Sequence, residues 1–430
     1  MGLKAPATSV AASPTAIMAG SRGRVLKNAL ALSIAQIAGY IVPLAILPYT
    51  AVILGPAIFG VLALNQAVVM QCAIIVNYGF PYSATRQVAF VKHDRERLAS
   101  ILVNVWGAKA LLMVACTVVS LLVFGLIHQL RPYLFAYFCA FISLFGTVIY
   151  PDWFFQGVEE MKWITISSVI PKLLILPLVF LVVKHPSDYW KLLLVQSINA
   201  IVSGALGYVL VKRWLRTRLP FPDARNIVVQ LKSGFVTFLS CASTNFNASF
   251  NTLILGIMTG SIVVGIYSAA QRVVTALQLL WTAVSQALYP FFCNEFRVSV
   301  HDGARKLRQI MLLVGVVTLA GAAVAGLAAP AVVPALFGPK YIGTIPIFQV
   351  LIFLVCASCM SNLLGLQGLL GMGLERDYLR VVGTGTVLNI MFCVIAIKMA
   401  GGIGLAFSVV FLEIVIAARE FHILRRKEVF

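Results

Sequence analysis

Three side chains carry most of the chemistry that can be read from this sequence. Lys109, Lys172 and Arg272 each lie inside a long apolar stretch, about 12–15 Å from its nearer end at the rise of a helix. A cation at that depth in hydrocarbon costs at least ~2.5 kcal/mol, so it requires a wet cavity or a partner. One carboxylate, Glu413, occupies a comparable stretch and cannot neutralise all three. A cavity of net positive charge takes an anion, and Arg272 suits phosphate because its guanidinium fork binds two oxygens at once. Lys109, Lys172 and Arg272 are therefore the candidate anion-binding residues. Glu413 is a candidate salt-bridge partner or coupled-ion site. A polar run from Ser243 to Asn251 adds amides at helical spacing. Asn245, Asn247 and Asn251, with Gln66 and Gln271, are candidates for hydrogen bonds to sugar hydroxyls or between helices.

Other chemistries lack their residues. There is no Gly-rich phosphate loop and no HExxH pair. The five histidines are scattered over loops: His93, His128, His185, His301 and His422. Cys356-x-x-Cys359 has no second pair and sits in an apolar stretch, which reads as two small membrane residues one turn apart. Neither a cofactor nor a metal is implied, and the chain does not read as an enzyme.

The elements that must hold these side chains follow from composition. Of 430 residues, 60% are hydrophobic and 11% are charged, against about 25% charged in a soluble domain. That excludes a soluble enzyme. Twelve apolar runs are long enough to cross a bilayer, from Val25–Pro48 to Ile403–Ala418. They are continuous rather than alternating, so the fold class is an all-α polytopic membrane protein and not a β-barrel. Basic residues alternate between the connections: 25 of the 33 Lys and Arg fall on one side, five on the other and three within the spans. This bias puts both termini in the cytoplasm. The net charge of +19 is then a signature of topology and not of nucleic acid.

The chain also repeats itself. Gly55, Gly60 and Gln66 precede or open the second span, and Gly260, Gly265 and Gln271 stand at a constant offset of 205 around the eighth. An even number of helices per half makes such a repeat parallel, an arrangement found in transporters that rock two halves about a central cavity. The expected organisation is a disordered cytoplasmic tail (1–24), an N-lobe of six helices (25–211), a basic linker (212–233), a C-lobe of six helices (234–419) and a second tail (420–430). Asp152, Glu159 and Glu160 make the connection after the fourth span net negative. With Arg86, they are candidates for a gate that pairs with basic connections of the other lobe.

The stretch Pro151-Asp-Trp-Phe-Phe-Gln-Gly-Val-Glu-Glu-Met-Lys-Trp-Ile-Thr165 resembles the signature of the Wzx-type polysaccharide exporters of the multidrug/oligosaccharidyl-lipid/polysaccharide superfamily. Leu54–Ala63, Asn77–Phe80, Ser83–Arg86 and Gly265–Arg272 are similar to the same family. The resemblance implies two six-helix lobes in the bacterial inner membrane. It also implies a flippase whose cargo is a polyprenyl-diphosphate-linked oligosaccharide, bound for O-antigen, capsule or exopolysaccharide. Membrane lipids, a polysaccharide polymerase and chain-length proteins are the partners it suggests, and nucleic acid is not among them. The alternatives are a multidrug exporter of the same superfamily, whose organic cations the intramembrane cations disfavour, and a membrane-embedded polymerase or acyltransferase, which needs a large outer loop or a His/Asp site.

Overall fold

The computed structural model describes the backbone of residues 14–126 and 131–427; the side chains of 14–30, 33, 40, 132, 236, 240–246, 248 and 283 fall outside it. No strand occurs among the described residues. In lipid every backbone N–H and C=O must find a partner within its own segment, and helices meet that demand locally. Nine helical stretches among the described residues are long and apolar enough to cross a membrane. Their outward faces are apolar, as with Leu126 and Leu327, each 82% exposed. That surface suits acyl chains and not water.

The first half contains α1 (Pro14–Asn77), α2 (Phe80–Phe90), α3 (Arg95–Leu126), α4 (Leu134–Phe141), α5 (Ser143–Ile149), α6 (Asp152–Gly157), α7 (Lys162–Val182) and α8 (Tyr189–Leu215). The second contains α9 (Ala224–Thr259), α10 (Ser261–Val298), α11 (Val300–Phe337), α12 (Thr344–Leu351), α13 (Phe353–Asn362), a π-helical segment Leu363–Leu370, and α14 (Glu375–Arg426). Within the first half α8 packs on α4, α5 and α7; within the second α14 packs on α9, α12 and α13. Between the halves the main contacts are α1 with α10 and α9, and α9 with α2 and α3.

Two long helices are broken. Gly55 in α1 has φ 68 and ψ 167, and Ala400 and Gly401 in α14 are non-helical. Gly55 accepts a backbone conformation that a Cβ would strain. Pro56, which follows, has no N–H to lose at the break. The prolines deeper in the spans, Pro43, Pro48, Pro171 and Pro177, sit inside continuous helix.

Three boundaries differ from the sequence reading. α1 begins at Pro14, inside the segment expected to be a disordered tail, and a proline is well placed at the first helical position. The connection between the halves is residues 216–223, since α8 reaches Leu215 and α9 starts at Ala224. Asn104 in α3 accepts the Asp223 N–H at 2.9 Å and pins that connection. At the other end α14 runs to Arg426, so Glu420 belongs to a helix and is 1% exposed, not part of a tail.

Candidate functional site

The helices that alternate along the chain share one end rich in Lys and Arg, called here the basic end, and an opposite end that carries Gly55, Gly260 and Gly401. At that opposite end α1 and α10 come into backbone contact. A Cβ built on Gly60 would overlap the Ser261 carbonyl, and one on Gly265 would overlap the Pro56 carbonyl. No residue but glycine allows this approach, which is how small residues bring membrane helices together.

About two turns further into the bundle the same helix pair places Arg272. Its Nη2 donates to Gln66 Oε1 at 2.5 Å, and its guanidinium lies 4.7 Å above the Phe59 ring. Gln66 Nε2 in turn donates to Gln196 Oε1 of α8 at 2.7 Å. A relay Arg272–Gln66–Gln196 therefore joins the second half to two helices of the first. Tyr341 stands edge-on to Phe59, with ring centroids 6.3 Å apart. The guanidinium is held on one side by an aromatic face and a single amide, with no carboxylate paired to it among the ion pairs of the described residues.

Arg272 lines a cleft of about 250 Å³ between α1 and α10, together with Gly39, Pro43, Gln271 and Thr275. Lys172 approaches that cleft from α7: a Cβ on Gly39 would lie 3.2 Å from its Nζ. One cation from the second half lines this space, and one from the first stands next to its wall at Gly39. Lys109 does not join them. It is 0% exposed, between α3 and α5, with its Nζ donating to the Thr147 carbonyl at 3.3 Å. Of the three expected cations, Arg272 lines the cleft, Lys172 stands next to its wall, and Lys109 is held within the first half.

The amide candidates divide likewise. Asn251 and Asn389 form a reciprocal pair, at 3.1 and 3.5 Å, that joins α9 to α14. Asn247 lines a second cavity, of about 340 Å³, with Gln271, Gln278 and Glu413. The side chain of Asn245 lies outside the described residues.

The acidic connection is built chiefly by packing. Trp153, Phe154 and Phe155 of α6 are 0% exposed and pack with α2, α3 and α8 at the basic end. A Cβ on Gly157 would lie 2.5 Å from Val88 Cγ1, so this glycine lets α6 rest on α2. Thr165 donates to the Ala31 carbonyl at 2.6 Å. Glu159 pairs with Lys92 at 3.6 Å and Glu160 with Lys162 at 2.7 Å, both within the first half, whereas the sequence reading aimed them at the second. Asp152 opens α6, and Arg86 lies over Phe90 at 5.7 Å. The basic ends of the halves are joined instead by residues not anticipated: Gln87 and Gln230 exchange amide hydrogen bonds at 2.9 and 2.8 Å, and Tyr78 stacks on Phe238 at 4.6 Å. Gln196, Phe59, Tyr341 and Glu420 were likewise not singled out. The glutamines carried a signal, since an amide in an apolar span needs a partner.

The apolar helices, with Arg272 in a cleft between the halves, define a multi-pass membrane protein. Its backbone matches an inward-facing multidrug resistance MATE family transporter of the MOP superfamily with a TM-score of 0.69, at 15% identity, covering 93% of this chain and 98% of that one. The lipid II flippase MurJ in an inward closed conformation gives 0.70, at 14% identity and with 93% and 87% covered. A model of the polysaccharide biosynthesis protein family matches residues 25–295, and the chain belongs to that family. An Escherichia coli K12 protein named as a candidate O-antigen transporter is 27% identical over 368 residues, covering 85% of this chain and 88% of its own. A Shigella dysenteriae protein of the same name is 28% identical over 397 residues, with 91% and 97% covered.

Proposed function

We propose that this protein is a flippase that moves polyprenyl-diphosphate-linked oligosaccharide from the cytoplasmic to the periplasmic leaflet by alternating access. The observation that carries the reading is the cleft between α1 and α10 that Arg272 lines, with Lys172 of the other half close to Gly39 of its wall. A diphosphate of about −2 charge matches two cations. The apolar residues Pro43, Leu44 and Leu47 beside them leave a path along which a polyprenyl tail stays in lipid. The family and the relatives named as candidate O-antigen transporters support a saccharide cargo.

The reading counts twelve crossings. The nine apolar stretches include α1 and α14 once each, and each is broken into two crossings. α9, which ends in the apolar run Ser249–Thr259, supplies the twelfth. Six crossings then fall in each half, the halves form two lobes, and the positive-inside rule puts the basic end and both termini in the cytoplasm.

In this reading Gln66 is the resting partner of Arg272. A phosphate that takes both Nη groups of the guanidinium competes with Gln66 for Nη2, and charged hydrogen bonds are about twice as strong as neutral ones. Phosphate displaces the amide, the relay to Gln196 is released, and the Gly60–Gly265 contact is freed to open outward. Inside-negative potential drives an anion in that direction.

Arg272→Ala in cells that build a surface polysaccharide should abolish it while lipid-linked repeat units accumulate on the cytoplasmic leaflet. Normal polysaccharide at normal protein levels would refute the assignment. An exporter of organic cations would instead lose little when Arg272 is neutralised.

A further inference from the structure

The second half carries a groove that is separate from the Arg272 cleft. Its volume is about 750 Å³, against about 250 Å³ for that cleft. α13 packs on both α11 and α14, and its Cys356 and Met360 line the groove between them. One side is a single face of α11: Arg308, Met311, Leu312, Gly315, Val316 and Leu319 recur at three- and four-residue spacing. The other side is Phe421 and Arg425, one turn apart on α14. Gly315 deepens the trough, since a Cβ there would meet only Met360, at 3.7 Å. Met311 and Met360 are unbranched and adapt to an irregular occupant.

Both arginines stand at the basic end, Arg308 in the first three turns of α11 and Arg425 in the last turn of α14. The other residues of the lining are apolar, and no Asp or Glu is among them. Leu312, Val316 and Leu319 are exposed, so no helix of this chain covers the trough. From Arg308 to Leu319 the face runs about 16 Å at the rise of a helix. That is close to half of the ~30 Å hydrocarbon core, so the groove reaches from headgroup level to near the midplane. A charged mouth above an apolar trough one leaflet deep has the form of a phospholipid. Each guanidinium fork binds two phosphate oxygens at once. A zwitterionic headgroup would bring an ammonium group for which the lining has no carboxylate, whereas an anionic one matches the two arginines. Basic pockets between membrane helices on the cytoplasmic side take such headgroups.

We propose that this groove binds an anionic phospholipid of the leaflet at the basic end, with its phosphate held by Arg308 and Arg425 and one acyl chain lying along α11. An acyl chain ends near the midplane, as the groove does. A polyprenyl chain is longer than one leaflet and would outrun it, so the occupant is a phospholipid and not the lipid-linked saccharide. The site lies wholly in the second half, and a bound lipid braces α11, α13 and α14 against one another. It requires only a membrane around the chain and is independent of the flippase reading.

Native mass spectrometry of the delipidated full chain, titrated with phosphatidylglycerol or phosphatidylethanolamine of the same acyl chains, reads occupancy directly. The wild-type protein should take up one phosphatidylglycerol well ahead of phosphatidylethanolamine. Arg308→Gln and Arg425→Gln should each weaken that first binding roughly fivefold, the ordinary worth of one basic residue at an anionic surface. Arg426→Gln removes an equal charge from the same helix end but does not line the groove, and it should leave the first binding unchanged. Gly315→Leu keeps every charge and fills the trough, and it should weaken the binding as well. Phosphatidylglycerol should raise the melting temperature of the wild-type protein more than that of Gly315→Leu. Equal uptake of the two lipids by the wild-type protein overturns the proposal, and this arm needs no variant to fold. Equal losses in the Arg308, Arg425 and Arg426 variants would mark a general attraction to the basic surface and overturn it. Polyprenyl phosphate bound in preference to phosphatidylglycerol, and lost in the same variants, would give the groove to the saccharide carrier and overturn it too.

Discussion

Arg272 and Lys109 are both basic residues deep in apolar helices, and their surroundings separate them. Arg272 bonds an amide of the other half and faces a cleft, so its shape matters as well as its charge. Arg272→Lys keeps the charge but loses the fork. Loss of one charge-assisted hydrogen bond is worth about 1.5–3 kcal/mol, so cargo flux in reconstituted vesicles should fall by roughly 10- to 100-fold. Lys109 donates to a carbonyl inside one half, and a buried charge is often replaceable by an apolar side chain of similar volume at no net cost. Asp152, the carboxylate whose field reaches Lys109, is half-exposed and keeps its solvation. Lys109→Met should therefore leave flux within about twofold, with thermal stability unchanged or raised. Flux lost at normal stability would return Lys109 to the anion site. The sequence could flag all three cations because charge in an apolar run is conspicuous. It could not sort them, because the lipid face and the packed face of a membrane helix are both apolar and leave the rotation of the helix undetermined. Glu420 escaped for a related reason. It lies just past the last apolar run, where Arg419, His422, Arg425 and Arg426 make the sequence look solvated.

Among the elements, α1 and α10 govern the contact between halves. A Cβ on Gly265 meets the Pro56 backbone, so Gly265→Ala must part the helices at the end opposite the basic one. Spin labels near Gly55 of α1 and at the start of α10 should report a longer mean distance in Gly265→Ala than in the unsubstituted protein, with transport reduced. An unchanged distance would mean that this contact does not set the closed state. These glycines were legible as a repeat at constant offset, and the structure adds that the two copies touch each other. That the chain is a bundle of membrane-crossing helices was legible from apolar length, since each crossing needs about 20 residues. The break of α1 at Gly55 with no intervening loop was not, because a single glycine–proline step interrupts the hydrogen bonding without adding loop residues. The motif Pro151–Thr165 was also read for its acids, whereas its aromatic residues carry the fold: three of them are wholly buried.

For the whole molecule, the proposed export of an anion makes the membrane potential a drive. Moving one elementary charge across the membrane is worth about 2.3 kcal/mol per 100 mV. A cargo of about −2 charge gains roughly 4–5 kcal/mol per 100 mV when it leaves an inside-negative cell. A potassium diffusion potential imposed on proteoliposomes should thus accelerate export when the basic side is negative and retard it when the sign is reversed. Rates insensitive to potential would show that the bound cations travel with the cargo and cancel its charge. At the basic end the halves are tied through Gln87–Gln230 and Tyr78–Phe238, on α2 and α9, and not through the acidic connection.

The Gly60–Gly265 crossing has a consequence for genetics. The atoms that a new methyl group would strike belong to backbone on both sides, Ser261 and Gly265 facing Gly60, and Pro56 and Gly60 facing Gly265. No neighbouring side chain can be trimmed to make room. Second-site revertants of Gly60→Ala should therefore not arise next to it. They should map to places where the helices bend, near Gly55 or Gly260, where a changed angle can restore the approach.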